Sequence, residues 1–301
     1  PHRDASRAGF GDPEGPDPLF DPEAVSIPPF LDDLPEVRAE LAAYHHAIAR
    51  MDRGVGLVLD LLARRGLEDD TLVVFLSDNG APFLHSKTTL YDAGVHLPLI
   101  LRRPGAGPQR SDAMVSFVDV LPTLLDWANA PAPDDGHPRE GRSLLPLAAE
   151  ADTPEGWDAV YGSHTFHEVT NYWPTRFLRD RRYKYHRNVA WQLPFPISTD
   201  IYGSLSFEAM RRAAPEDMLH RIHRPAEELF DLWDDPQEAH DLAGRPEMAG
   251  RLRDMRARVE AWQRRTQDPW LLRDGASVLA LRDHLSEGLE LPDRWDFRPD
   301  P

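Results

Sequence analysis

Apolar residues recur at three- and four-residue steps from Val37 through Leu41, Tyr44, Ile48, Met51, Val55 and Leu59 to Leu62. That spacing is the helical period. Pro35 stands at the start of the pattern, where a helix tolerates proline, and Gly66 stands just past its end, where a helix is closed by glycine. The next signal differs in kind. Thr71-Leu-Val-Val-Phe-Leu76 is a continuous apolar, β-rich run, which reads as a strand covered on both faces in a parallel sheet. Leu97-Pro-Leu-Ile-Leu101 reads as a second buried strand, followed by a turn at Pro104-Gly105. Asp119 is placed to cap a helix running to about Ala130, with Val120, Leu121, Leu124, Leu125 and Trp127 on it and Pro122 within its first turn.

Beyond this region the pattern thins. Residues 131–157 are a connector rich in Pro, Gly and acids, anchored at Leu144-Leu145. Val160-Tyr161-Gly162 and Tyr183–Tyr185 read as short strands, and residues 246–265 as a helix with Met248, Leu252, Met255, Val259 and Trp262 on one face. Residues 1–35 read as a long surface loop that packs at Phe20, Val25, Ile27, Phe30 and Leu31. Helix and strand alternate through residues 36–130, which predicts an α/β fold. Residues 1–150 are expected to form part of a mixed, largely parallel sheet sandwiched by helices, and 151–301 a smaller α+β subdomain. No internal repeat is visible.

Composition narrows the classes. The 301 residues include 51 acidic and 34 basic side chains, for a formal charge of −17, with a mean hydropathy of −0.52. Such a balance argues against broad binding to nucleic acid, and no apolar run is long enough for membrane insertion as a helix. With no cysteine, this stretch has no disulfide, zinc-thiolate site or thiol nucleophile. The chain opens Pro1-His2-Arg3 without an initiator Met, so a processed, cut or partial product is expected. Only two basic residues are lysines, Lys87 and Lys184.

The strongest chemical signal is Ser77-Asp78-Asn79-Gly80 at the end of the first apolar run. Ligands collect at the carboxyl ends of strands in α/β sheets. An Asp carboxylate beside an Asn carbonyl offers two hard oxygens suited to Ca²⁺ or Mg²⁺, although Asp-Asn-Gly is also an ordinary turn. Lys87, eight residues on, is a point charge for an anion held near such a metal. His2 is an acid or base by residue type. The stretch Arg176–Arg187 is locally basic, either the rim of an anion site or a solvated face. His167 stands beside Glu168 without the His-Glu-x-x-His spacing of a zinc protease. A Gly-x-Ser-x-Gly elbow, a phosphate-binding Walker loop and a Gly-x-Gly-x-x-Gly fingerprint are all missing from the sequence.

Taken together, Met51-Asp-Arg-Gly-Val-Gly56, Asp70-Thr-Leu-Val-Val-Phe-Leu-Ser-Asp-Asn-Gly80, Lys87-Thr-Thr-Leu-Tyr91 and Pro98-Leu-Ile-Leu-Arg-Arg-Pro-Gly105 resemble, in order and spacing, the second half of a sulfatase of the alkaline-phosphatase superfamily. Asp119-Val-Leu-Pro-Thr-Leu-Leu125 and Glu228–Glu238 fit the same pattern. Pro1-His2-Arg3, Gly162–Thr170, Leu193–Ile197 and Thr266–Trp270 are similar to the branch that releases sulfate from N-sulfated glucosamine of heparan-type glycans. The resemblance implies one Ca²⁺ ion, with Asp78 and Asn79 among its ligands, and Lys87 contacting the sulfate, where that branch often carries Arg. It implies that His2 lies near the sulfate and the leaving group, and that Arg3, His167 and Glu168 bind the sugar. It also implies a formylglycine nucleophile, made from a cysteine of the N-terminal half, which this chain lacks; the chain alone is expected to be inactive. The partners implied are a sulfated amino sugar or glycan and the missing N-terminal half; a homodimer is an open expectation. O-sulfate esters, phosphate esters and a non-catalytic remnant remain alternatives. The parent's compartment stays open among secreted, periplasmic and cytoplasmic.

Overall fold

The computed structural model describes residues 20–134, 136, 139–148, 154–168 and 171–271. They fall into two units. The first takes the chain up to Lys87, Ala93–Asp158 and Thr199–Pro215; the second takes Thr88–Asp92, Ala159–Ser198 and the chain from Glu216.

In the first unit, helix α1 (Pro35–Arg64) opens on proline, with Glu36 in its first turn and Arg64 in its last, both favourable to the helix dipole. It ends as the sequence predicts. Gly66 takes φ +64°, its N–H bonds Ala63 O at 2.9 Å, and Leu67 N–H bonds Leu62 O at 3.2 Å. That pair satisfies two of the carbonyls orphaned at a helix end. The apolar stripe is only partly covered. Val37, Leu41 and Ala42 are buried, whereas Ile48, Met51, Leu57, Val58 and Leu61 are exposed.

Strand β1 (Val73–Leu76) pairs with β2 (Leu99–Arg102) antiparallel, Val73 opposite Arg102 and Leu76 opposite Leu99. Between them in the chain lies the single turn of α2 (Asp92–Val95). The α/β class holds, with helices and sheets mixed. Strand β1 is half-buried, and its one strand neighbour among the described residues is antiparallel. An apolar run records burial and carries no information on which way a neighbour runs. Leu144, Leu147 and Trp157 form a small core with Leu99, Leu101, Ala113 and Val115 packed against it.

Helix α3 (Val120–Trp127) forms, but Asp119 does not cap it. A single 3-10 turn over Phe117–Asp119 already gives Asp119 helical angles, and its carboxylate points back to accept from Ser116 N–H at 2.8 Å and Arg142 N–H at 2.9 Å. The unit closes with α4 (Thr199–Tyr202) and α5 (Leu205–Ala213), in a region where the sequence shows little periodicity. Ser204 caps α5 by accepting from Phe207 N–H at 3.1 Å. Glu40 reaches over from α1, and its buried carboxylate accepts from Leu205 N–H (2.9 Å), Ser206 N–H (3.0 Å) and the Ser206 hydroxyl (2.5 Å). A carboxylate at a helix N-terminus meets both the free N–H groups and the dipole.

The second unit is an antiparallel sheet of β3 (Ala159–His167), β4 (Asn171–Asp180), β5 (Tyr183–Asn188) and β6 (Glu227–Asp231), each beside its neighbour in sequence. Helix α6 (Pro215–Ile222) precedes β6. Helix α7 (Ala249–Arg265), entered through a 3-10 turn at Pro246–Met248, packs on the sheet through Met255 and Val259 against Leu178, Tyr185 and Leu229. The expected stripe is therefore the buried one, and Trp262 stacks on Tyr161 at 5.3 Å.

Candidate functional site

Beyond β1 the chain turns sharply through Ser77–Gly80. Ser77 Oγ donates to Asn79 O, and Asn79 Nδ2 donates to Gly80 O, both at 2.8 Å. Gly80 has no room for a side chain: a Cβ there would stand 2.3 Å from Ala93 O and 2.7 Å from Gly94 Cα. Asn79 has its nitrogen engaged, which leaves Oδ1 as an acceptor beside the exposed carboxylate of Asp78. Both are hard oxygen donors on successive residues, the donor type that suits a calcium ion. Among the described residues, no group of three or more His, Asp or Glu converges into a full cage. The pair fits two ligands of such an ion and no more.

Lys87 is tied to the same turn by its backbone N–H, which donates to Ala81 O at 3.1 Å. On either side of it, His85 and Thr88 adopt φ of 67° and 68°. Left-handed angles are uncommon for residues with a Cβ and rarest for β-branched ones, and they concentrate where the surroundings dictate the backbone. The Lys87 ammonium donates to the carboxylate of Asp200 on α4.

Directly after Lys87, Thr88–Asp92 belongs to the second unit, where it meets a buried cluster of charges. Tyr91 OH donates to Glu228 Oε1 at 2.7 Å. The Asp92 carboxylate accepts from Lys184 Nζ (2.7 Å) and Arg179 Nε (2.9 Å), and Asp92 N–H donates to Glu238. Lys184 is wholly enclosed and stands 3.3 Å from Glu238. His186 lies between two acids, 3.7 Å from Glu228 through Nδ1 and 3.7 Å from Glu238 through Nε2. Burial works to raise every carboxyl here. At Glu228 burial is outweighed by His186, Arg224 and Asn188, which pull its pKa down to about 2. At Asp92 burial is outweighed by Lys184 and Arg179, so it too sits below the usual range. At Glu238 burial prevails and its pKa is raised.

The other expected residues are placed elsewhere. His167 ends β3, and Glu168 follows at φ +58°, its carboxylate accepting from Asn171 Nδ2 at 3.1 Å. Both belong to the second unit, whereas Asp78, Asn79 and Lys87 belong to the first. His2 and Arg3 lie outside the described residues. In the basic stretch Arg176–Arg187, most of the cations are answered by acids of the same chain. Arg176 is buried in a two-pronged pair with Asp268 (2.5 and 2.7 Å), Arg179 and Lys184 hold Asp92, and Arg182 holds Asp231 at 2.6 Å. Their acidic partners are remote in sequence, so a local reading sees only uncompensated charge.

A turn with hard oxygen donors thus follows β1, and a loop with left-handed angles on both sides of Lys87 follows that turn, in a mixed α/β frame. Two family models match the chain, one described as Sulfatase over residues 5–130 and one as N-sulphoglucosamine sulphohydrolase, C-terminal, over residues 81–193. The chain belongs to the sulfatase family, and its fold is the alkaline-phosphatase-like one. It is 40% identical over 271 residues to the human N-sulphoglucosamine sulphohydrolase, covering 84% of this chain and 53% of that protein. An ulvan-active sulfatase of Formosa agariphila is 29% identical over 267 residues, 83% of this chain and 42% of its own. The solved structure of a 2-O GAG sulfatase superposes with a TM-score of 0.57 at 22% identity, covering 77% of this chain and 44% of that one. The chain thus spans about half the length of the curated relatives it matches.

Proposed function

We propose that this chain supplies one half of a hydrolase that releases sulfate from N-sulfated glucosamine of heparan-type glycans. The observation that carries the reading is the 40% identity to a sulphohydrolase of that substrate over 271 residues, which include the Asp78-Asn79 turn and Lys87. In this reading Asp78 and Asn79 hold a Ca²⁺ ion whose remaining ligands come from the half of the relatives that this chain does not cover. When bound, the ion offsets charge on the sulfuryl oxygens. Lys87 binds a sulfuryl oxygen as a point charge, and the loop around it fixes where that charge stands. His2 gives a proton to the departing nitrogen, while Arg3, His167 and Glu168 contact the sugar. The nucleophile, a formylglycine, belongs to the uncovered half. That half packs on the exposed apolar positions of α1, from Ile48 to Leu61.

The test compares the chain alone with the chain joined to a relative's uncovered half, offered N-sulfoglucosamine or glucosamine 6-sulfate. Sulfate release from the N-sulfated sugar by the joined form only, abolished by a calcium chelator, is the expected result. Release by the isolated chain, or preference for the 6-sulfate, overturns the reading.

A further inference from the structure

Asp200 carries no signal in the sequence, yet its carboxylate is the group that meets the Lys87 ammonium. It is not a loose surface acid. Lys87 is 15% exposed and Asp200 31%, so water surrounds neither fully. Helix α4 runs into Ser204, the cap of α5, and Glu40 fixes the first N–H groups of α5 to α1. The carboxylate is therefore presented from a fixed piece of backbone.

We propose that Asp200 is a specificity-determining residue that receives the amino group released when a sulfamate is cleaved. This rests on Lys87 being the contact to the sulfuryl group. When water cleaves the S–N bond of R–NH–SO₃⁻, sulfur leaves as SO₄²⁻, and the nitrogen gains protons and leaves as R–NH₃⁺. Lys87 is joined to the sulfuryl group through an oxygen, and the nitrogen is joined to it through the breaking bond. A carboxylate paired with Lys87 thus stands close to where positive charge grows on nitrogen. That nitrogen is uncharged until the bond breaks, so the attraction is stronger in the transition state than in the ground state. A sulfate ester reverses the sign. Its leaving oxygen gathers negative charge, which the same carboxylate opposes. One side chain therefore favours amine release and disfavours alcohol release.

The chain's two lysines make the test direct. Labelling lysine with carbon-13 at Cε yields two signals, Lys87 at the proposed contact and the enclosed Lys184 as a reference for the fold. Sodium sulfate, glucosamine hydrochloride and N-acetylglucosamine are titrated in turn at neutral pH. Sulfate is expected to shift Lys87 in the wild type and in Asp200→Asn. Glucosamine is expected to shift Lys87 saturably while N-acetylglucosamine, which has no ammonium, does not. Asp200→Asn should weaken the glucosamine response by about tenfold, the scale of one charge-assisted hydrogen bond, and Asp200→Glu should restore most of it. A Lys87 signal indifferent to sulfate overturns the reading of Lys87 and this inference with it. A Lys87 signal that answers sulfate but treats the two sugars alike, or an Asp200→Asn response equal to wild type, overturns the role of Asp200 alone. Should Asp200→Asn lose the Lys184 reference signal, the comparison of the two sugars on wild type decides the matter.

Discussion

Replacing Glu228 with Gln keeps the side chain's size and removes its charge. In the second unit that carboxylate accepts from Tyr91 OH at 2.7 Å and Asn188 Nδ2 at 2.8 Å, and His186 Nδ1 faces it at 3.7 Å. Burial alone would raise its pKa, but His186, Arg224 and Asn188 carry it from the usual 4.5 down to about 2. A folded-state pKa below the unfolded one means that the folded chain holds this proton less tightly. Its contribution is therefore complete above the unfolded pKa and is lost as the pH falls through 4.5 toward about 2. At about 1.4 kcal/mol per unit, the depression corresponds to roughly 3 kcal/mol. Urea unfolding followed by circular dichroism at about pH 6 should find Glu228→Gln less stable by about 2–3 kcal/mol. The gap should narrow steadily below about pH 4.5, because protonation does to the wild type what the substitution has already done. Acids remote from this cluster titrate in both proteins and cancel from the difference. A gap that stays constant across this range would refute the account of the buried cluster.

Two further outcomes follow from the same geometry. Lys184→Met leaves Asp92 and Glu238 enclosed with less positive charge, a loss expected at about 3–5 kcal/mol; adding Glu238→Gln should recover part of it, and strict additivity in a double-mutant cycle would contradict the coupling. Gly80→Ala drives a methyl to 2.3 Å from Ala93 O, which should cost about 1–3 kcal/mol and lower the melting temperature, so an unchanged melt would mean that the turn relaxes freely.

Much of the frame was legible because its signals are local. The period of α1 and its closing Gly66 are both readable within a few turns, and so is the face of α7 that carries Met255 and Val259. The turn after β1 could be read as a candidate site because Asp78 and Asn79 are adjacent and follow an apolar run. What could not be read depends on pairings over long separations. Glu40 holds the start of α5 across 165 residues, and Lys87 finds Asp200 across 113. Neither partner's neighbours in sequence reveal the match. The strand β4 escaped for a different reason: its arginines look solvated until the distant acids that bury them are known. The one hint was a local basic excess in a chain of acidic total charge, which makes acids remote in sequence available as partners.

The segment Thr88–Asp92 has a consequence for the order of events in synthesis. Tyr91 and Asp92 find their partners in Glu228 and Glu238, 137 and 146 residues later. At ribosomal rates of about 5–20 residues per second, the loop beside Lys87 emerges on the order of ten seconds before the strand that fastens it. During that interval it must be kept from other partners. A nascent chain halted before Glu228 would already contain Asp78, Asn79 and Lys87, and the Arg179 and Lys184 that hold the Asp92 carboxylate, yet it would lack the two acids that accept from Tyr91 OH and Asp92 N–H. The fastening thus links the shape of the loop beside Lys87 to the translation of β6 and the turn after it.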